Sequence, residues 1–245
     1  MEHHESTSKQ KLAENLISVD CVIFGFDGED LKVLLYDRGA HETPPTPGDM
    51  KLPGDIIYLN EDLNEAATRI LYELTGLRNM SLRQFKAFGS KDRTNKQRDV
   101  EWLVKLHNLD PDNVIIVTVA YLAFVRIDRN VISNIRSKGA KWVSVSELDE
   151  LAFDHNAITR DALVAVRNLV ETDPIWIFNV LPHKFTAAQI RKLYEKLYNK
   201  ELDVRNFQKK LNSMTYVVPL EEKEQNVSHR AARYYRFDKV AYNKR

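Results

Sequence analysis

The sequence predicts an α+β protein built in two parts, and three observations carry that prediction. Through the first 170 residues, short β-rich runs alternate with amphipathic helical stretches, the pattern of a mixed sheet with helices packed on it. From Ile175 onward the chain reads helix, short turn, helix and then two β-like runs. The charge also changes sign between the parts. Residues 175–245 hold 15 Lys and Arg against 7 Asp and Glu, and the rest holds 21 against 28, so a net charge of +1 conceals a basic tail on an acidic body.

The elements follow in order. Val19 to Phe26 and Leu31 to Tyr36 are β-rich runs split by Asp27-Gly28-Glu29-Asp30, a hairpin with a short turn. Thr43 to Gly48 is a proline-rich loop. Glu61 to Leu74 reads as a helix, with Ala66, Ile70 and Leu74 on one stripe and Gly76 as its C-cap. Leu82 to Phe88 reads as a strand, and Glu101 to Leu106 as either a short helix or an extended loop. Val114 to Ile127 is near-continuously apolar and β-branched, so it is expected to be a central buried strand. Ala140 to Val145 is another strand, and Asp161 to Val170 an amphipathic helix. The boundary falls at Glu171 to Pro174, because proline ends the preceding helix. The expected parts are a flexible N-terminus at 1–14, a mixed domain at 15–170 and a basic module at 175–245.

In the module, Thr186 is placed to cap a helix over Ala187 to Tyr198 that buries Ile190, Leu193, Tyr194 and Leu197. Asp203 is placed to cap a second helix, Val204 to Met214, with Phe207 and Leu211 inward. Tyr216 to Leu220 and Arg233 to Phe237 then flank the charged stretch Glu221 to Ala232. That is the plan of a winged helix-turn-helix.

Composition narrows the class. Hydrophobic residues make up 43% and charged residues 29%, which suits a packed core under a solvated surface. No apolar run approaches the roughly 20 residues that span a bilayer, and the polar start MEHHESTSKQKLAEN lacks the apolar core of a secretory signal. Cys21 is the single cysteine and sits in an apolar run, so it is expected to be buried, with no disulfide and no cysteine zinc site. These readings point to a cytoplasmic protein with no membrane partner.

Leu52 to Leu77, LPGDIIYLNEDLNEAATRILYELTGL, resembles the Nudix box, G-x5-E-x7-R-E-U-x-E-E-x-G-U with U aliphatic. Glu61, Arg69, Leu71, Glu73, Gly76 and Leu77 match their positions. The box glycine falls on Asp55, just after Gly54, and two of the box glutamates fall on Ile70 and Leu74. Positions 70, 73 and 74 project from one helix face, where a Nudix hydrolase holds divalent cations that bridge a diphosphate. With Ile70 and Leu74 there, one carboxylate remains, too few to gather hard cations. No catalytic residue, metal or cofactor is therefore expected. Arg69 is expected to pair with Glu61 or Glu73 and brace the loop on the helix, with Gly54 and Gly76 as turn and cap residues.

The C-terminal part carries a more specific resemblance. Val180-Leu181-Pro182, Phe185-Thr186, Gln189-Ile190, Leu193-Tyr194-Glu195, Asp203, Arg205-Asn206-Phe207 and Lys209-Lys210 resemble the winged helix of the Nudix-related transcriptional regulators. Phe88-Gly89, Asp92-Arg93, Val119-Ala120-Tyr121 and Phe153-Asp154-His155 resemble their sensor domain. The resemblance implies a Nudix-like α/β/α sandwich that senses a small molecule, joined to a winged helix that binds double-stranded operator DNA as a homodimer. One departure stands out: Lys96 to Asp112 is a charged insertion, expected to reshape or cover the pocket.

By motif position, the residues expected to bind ligand are Arg38, Asp55, Glu73, Asp92, Arg93 and Tyr121. The effectors that the resemblance implies are sugars or ADP-ribose-like nucleotides, and loss of the metal cluster favours a sugar. His155 beside Asp154 could form a hydrogen-bonded pair, and a capping role before the following helix is expected there rather than catalysis. Residues expected to meet DNA are Thr186, Arg205, Asn206, Lys209 and Lys210, with His229, Arg230 and Arg233 on or beside the wing. Arg suits guanine and Asn adenine, while the lysines suit phosphates. Two other readings stay open at this point: a Mg²⁺-dependent hydrolase of ADP-ribose-like diphosphates, and an RNA-binding protein.

Overall fold

The computed structural model describes residues 14–38, 48–94, 96–107, 114–225, 228 and 230–244. The expected flexible N-terminus up to residue 13, most of the proline-rich loop, the end of the insertion, and His229 lie outside the described residues.

The apolar runs of the first part become one mixed sheet. Strand β1 (Glu14–Phe26) pairs antiparallel with β2 (Leu31–Asp37), Phe24 opposite Val33. The Asp27 carboxylate accepts from the backbone N–H groups of Glu29 and Asp30 and closes the turn. Short β3 (Met50–Lys51) pairs with β2, and β4 (Gly54–Ile56) pairs with β1. Helix α1 (Leu63–Thr75) follows, opened by a capping box of Asp62 and Glu65 and closed by Gly76 at φ 72°. Then come β5 (Arg83–Phe88), α2 (Gln97–His107) and β6 (Val114–Arg126). As expected, β6 is central, parallel to β1 along its whole length and antiparallel to β5. Helix α3 (Arg129–Ser137), β7 (Ala140–Ser144) and α4 (His155–Thr172) complete this part.

Several elements differ from the sequence reading. The ambiguous Glu101–Leu106 segment is helical and longer, running from Gln97. Helix α4 begins at His155 rather than Asp161. Helix α3 was not expected, although Val131 and Ile135, one turn apart, pack on the α1 cluster.

The C-terminal part contains α5 (Ile175–Phe178), β8 (Phe185–Thr186), α6 (Ala187–Tyr198), α7 (Val204–Ser213), β9 (Val217–Lys223), β10 (Arg233–Phe237) and α8 (Lys239–Tyr242). Strand β9 takes in Glu221 to Lys223, which the sequence reading left in the charged stretch. The three strands form a separate sheet in the order β8-β10-β9.

Alternation along β1 splits the core. Val19, Cys21 and Ile23 face a cluster with Ala66, Ile70 and Leu71 of α1. Val22, Phe24 and Phe26 face a second cluster with Ile158 and Val166 of α4, which continues without a break through Phe178, Leu181, Ile190 and Leu193 of the C-terminal part. Polar contacts reinforce that junction: Arg167 Nε donates to the Leu197 carbonyl at 2.7 Å, Lys196 Nζ lies 3.0 Å from Asp30 Oδ1, and Lys192 pairs with Glu29.

Candidate ligand cleft and nucleic-acid interface

A cleft opens where β1, β3 and β4 meet the start of α4, with α2 laid beside it. Asp20, Lys51, Asp55, Arg93, Trp102 and His155 are among its walls. The elements converge through buried polar contacts. Arg93 donates from Nη2 to Asp154 Oδ1 at 3.1 Å and to Asp20 Oδ2 at 3.4 Å, and from Nη1 to the Ile116 carbonyl at 3.3 Å. His155 Nδ1 accepts from the Leu52 N–H at 2.9 Å, with its Nε2 3.5 Å from Asp20 Oδ1. Lys51 Nζ donates to the Gly54 carbonyl. Gly54 is required here by close approach rather than by a turn: a Cβ would sit 1.9 Å from Asp20 Oδ1.

Charge in this cluster is set by burial and neighbours. Burial pushes His155 down to about 4, so it is neutral at pH 7. Burial opposes ionisation of Asp20, yet His155, Arg93 and Lys51 outweigh it and hold the carboxyl below its ordinary range. Burial also lowers Lys51, although Asp20 and Asp55 act in the other direction.

The insertion does enter the cleft, as the sequence led us to expect. Trp102, Leu103 and His107 of α2 line it, and His107 Nε2 lies 3.5 Å from Asp55 Oδ1. The buried Asp99 carboxylate ties α2 down, accepting from Arg38 Nη2 at 2.7 Å and from the Phe153 N–H at 2.8 Å.

Of the six residues expected to meet ligand, the fold brings Asp55 and Arg93 to the cleft. Arg38 sits behind it, against the rings of Trp102 and Phe153 at 5.8 and 5.3 Å. Tyr121 is on the far side of the sheet: it is buried with the α1 cluster, and its hydroxyl donates to Asn64 at 2.9 Å. Strand parity explains this, since adjacent residues of β6 face opposite ways. Asp92 is exposed on a turn, and Glu73 is exposed on α1 facing Arg69. His155 pairs with Asp20 and Leu52 rather than Asp154, whose carboxylate is taken by Arg93. Asp20, Lys51, Trp102, His107 and His155 were absent from the expected set. Each is separated in sequence from its partners, and only the fold assembles them.

The worn box is a brace. Arg69 donates to Glu61 from Nε at 2.8 Å and Nη2 at 2.6 Å, to Glu73 at 3.2 Å and to the Ile56 carbonyl at 3.1 Å. It pairs with both glutamates, where the sequence suggested one or the other. Ile70 is wholly buried and Leu74 packs on the same cluster, so the positions that would present metal ligands face the core. Among the described residues, no group of three or more His, Cys, Asp or Glu is placed to share a metal ion. The residues present do not fit the divalent cluster of a Nudix hydrolase.

In the C-terminal part, α7 buries Phe207 and Leu211 and exposes Arg205, Asn206 and Lys209. Asp203 caps it, accepting from the Asn206 N–H at 2.8 Å. Arg230 and Arg233 are exposed on and before β10. One expected DNA contact is engaged elsewhere. Thr186 is buried, its hydroxyl and backbone spent in a capping box with Gln189. Lys210 is exposed like Arg205, Asn206 and Lys209, with its Nζ 4.6 Å from the Tyr194 ring centre of α6. Among the described residues, no helix is long and apolar enough to cross a membrane.

Comparison with known proteins bears on both parts. The NUDIX domain model matches residues 14–163, and the NrtR DNA-binding winged helix domain model matches residues 177–237. No curated protein matches the sequence. In fold, the chain is similar to Shewanella oneidensis NrtR complexed with a 27mer DNA, at TM-score 0.66 and 21% identity over 93% of this chain and 95% of that one. It is also similar to a MutT/nudix family protein from Enterococcus faecalis, at TM-score 0.62 and 24% identity over 92% and 88% of the two chains. With a Nudix domain over most of its length and an NrtR-type DNA-binding winged helix behind it, the chain belongs to the Nudix-related transcriptional regulators.

Proposed function

We propose that this protein is a cytoplasmic, ligand-responsive transcriptional regulator. It works as a homodimer that grips double-stranded operator DNA through α7 and the wing, and a small metabolite in the cleft controls that grip. One observation carries the reading: the outer face of α7 holds Arg205, Asn206 and Lys209 in solvent, while the box positions Ile70 and Leu74 are spent on the core. A cationic face beside a helix N-terminus suits phosphates and base edges. The crystallised Shewanella oneidensis relative with a 27mer DNA supports the same partner.

The cleft favours a polar ligand with several hydroxyl groups. Charged groups of both signs, Lys51 and Arg93 with Asp20 and Asp55, face it beside the Trp102 ring. That mixture suits a sugar or nucleotide sugar, whose hydroxyls both donate and accept and whose ring stacks on an aromatic face. The ligand acts by binding one dimer geometry better than another, which changes the spacing of the two α7 helices.

The test is selection of bound fragments from random duplex DNA with the full chain, repeated with a panel of pentoses and ADP-ribose. The expected outcome is one enriched inverted repeat and release by one member of the panel. No enrichment of any duplex sequence, or stronger binding to single-stranded RNA, would overturn the reading.

A further inference from the structure

We propose that Val204 reads the C5-methyl group of a thymine and so fixes T at one position in each half-site. This deepens the duplex-DNA reading above and rests on it. The first turn of α7 presents three side chains to solvent in succession, Val204, Arg205 and Asn206, and Val204 is 62% exposed. The opening residues of a recognition helix are those that meet base edges. Arg and Asn there have polar partners on guanine and adenine, and a branched apolar side chain has one apolar partner in the major groove, the thymine methyl.

The rest of α7 leaves that role to Val204. On its flank toward the wing, Gln208 Nε2 donates to Asn212 Oδ1 at 2.9 Å and to the Tyr235 hydroxyl at 3.2 Å, so Gln208 and Asn212 are held to each other and to β10. On the other flank Lys210 lies on Tyr194. Asp203 spends its carboxylate as the cap. Valine is a poor helix former and gains nothing from water at this site. A methyl contact in a desolvated groove supplies the missing burial, while Arg205 and Lys209 beside it supply charge attraction to the duplex.

The experiment uses the full chain and the duplex enriched by selection. Each thymine is replaced singly by uracil, which deletes the C5-methyl and nothing else, and affinities of wild type and Val204→Ala are read by fluorescence anisotropy. One position per half-site is expected to weaken wild-type binding by about fourfold, the value of one buried methyl. Val204→Ala is expected to lose a similar factor on the thymine duplex, to ignore the uracil replacement, and to melt at the wild-type temperature. The proposal is overturned if no uracil position weakens wild type, or if the sensitive position stays sensitive in Val204→Ala. A chain that enriches no duplex at all refutes the duplex reading itself, and this inference with it.

Discussion

Helices α1 and α7 share a plan and differ in what their charges touch. Each starts at an aspartate whose side chain accepts first-turn N–H groups, Asp62 in one and Asp203 in the other, and each buries an apolar stripe. In α1 the cation is used up: Arg69 holds Glu61, Glu73 and the Ile56 carbonyl, with the Tyr58 ring centre 3.9 Å away. In α7 the cations Arg205 and Lys209 stand in solvent. A charge answered inside the chain holds structure together. A charge left in water, on a face whose opposite side is firmly anchored, is available to a partner. By that criterion α1, at the position of the Nudix box, is a strut, and α7 is the surface left open to a partner.

The largest expected effect lies on α1. Ile70→Glu would restore a carboxylate of the box, but at a position with no exposure and no cation left to receive it. Denaturant unfolding is expected to show a loss of about 4 kcal/mol or more, or no folded protein, as for any uncompensated buried charge. A folded Ile70→Glu protein that bound Mg²⁺ would break the comparison, because α1 would still be a metal helix with one ligand missing.

A smaller effect separates the cleft from the reading helix. His155 titrates at about 4 against its ordinary 6.5 because burial disfavours its charged form. A depressed folded value gives stability that is complete above the unfolded pKa and lost as pH falls toward the folded one. The window is therefore pH 6.5 down to 4, and the loss is on the order of 3 kcal/mol. Urea unfolding at pH 7, 5 and 4 is expected to show this decline in wild type and a flatter profile in His155→Gln. An equal decline in both would sharpen the comparison differently, by moving the acid sensitivity away from this cluster.

Legibility in the sequence followed the range of the forces involved. Helices α6 and α7 could be read almost to the residue, because caps and apolar stripes are local: Thr186 with Gln189, and Asp203 with Phe207 and Leu211, lie within a turn or two. The central strand was legible because burial on both faces leaves a continuous apolar run. Helix α3 was missed because its stripe is short: in nine residues, Val131 and Ile135 pack on the core and the rest is polar or exposed. The cleft was legible only in part. Asp55 and Arg93 could be placed from motif positions, whereas Asp20, Lys51 and His155 come from three distant segments that only tertiary pairing joins. Tyr121 was misplaced by a single residue of strand parity, and Thr186, rightly read as the cap of α6, was also expected to meet DNA, whereas the capping box leaves it buried. Lys96 to Asp112 announced itself as an insertion, but nothing in its composition marked Asp99 as a buried anchor.

The most direct test of the central claim is the affinity of Arg205→Ala for the selected duplex, measured beside Arg69→Ala. The account predicts that Arg205→Ala melts like wild type and binds roughly tenfold or more weakly, as for a lost base-edge contact. Arg69→Ala should lose roughly 2 kcal/mol of stability, with Glu61 left unpaired, and bind the duplex normally once folded. Wild-type duplex affinity in Arg205→Ala would contradict it.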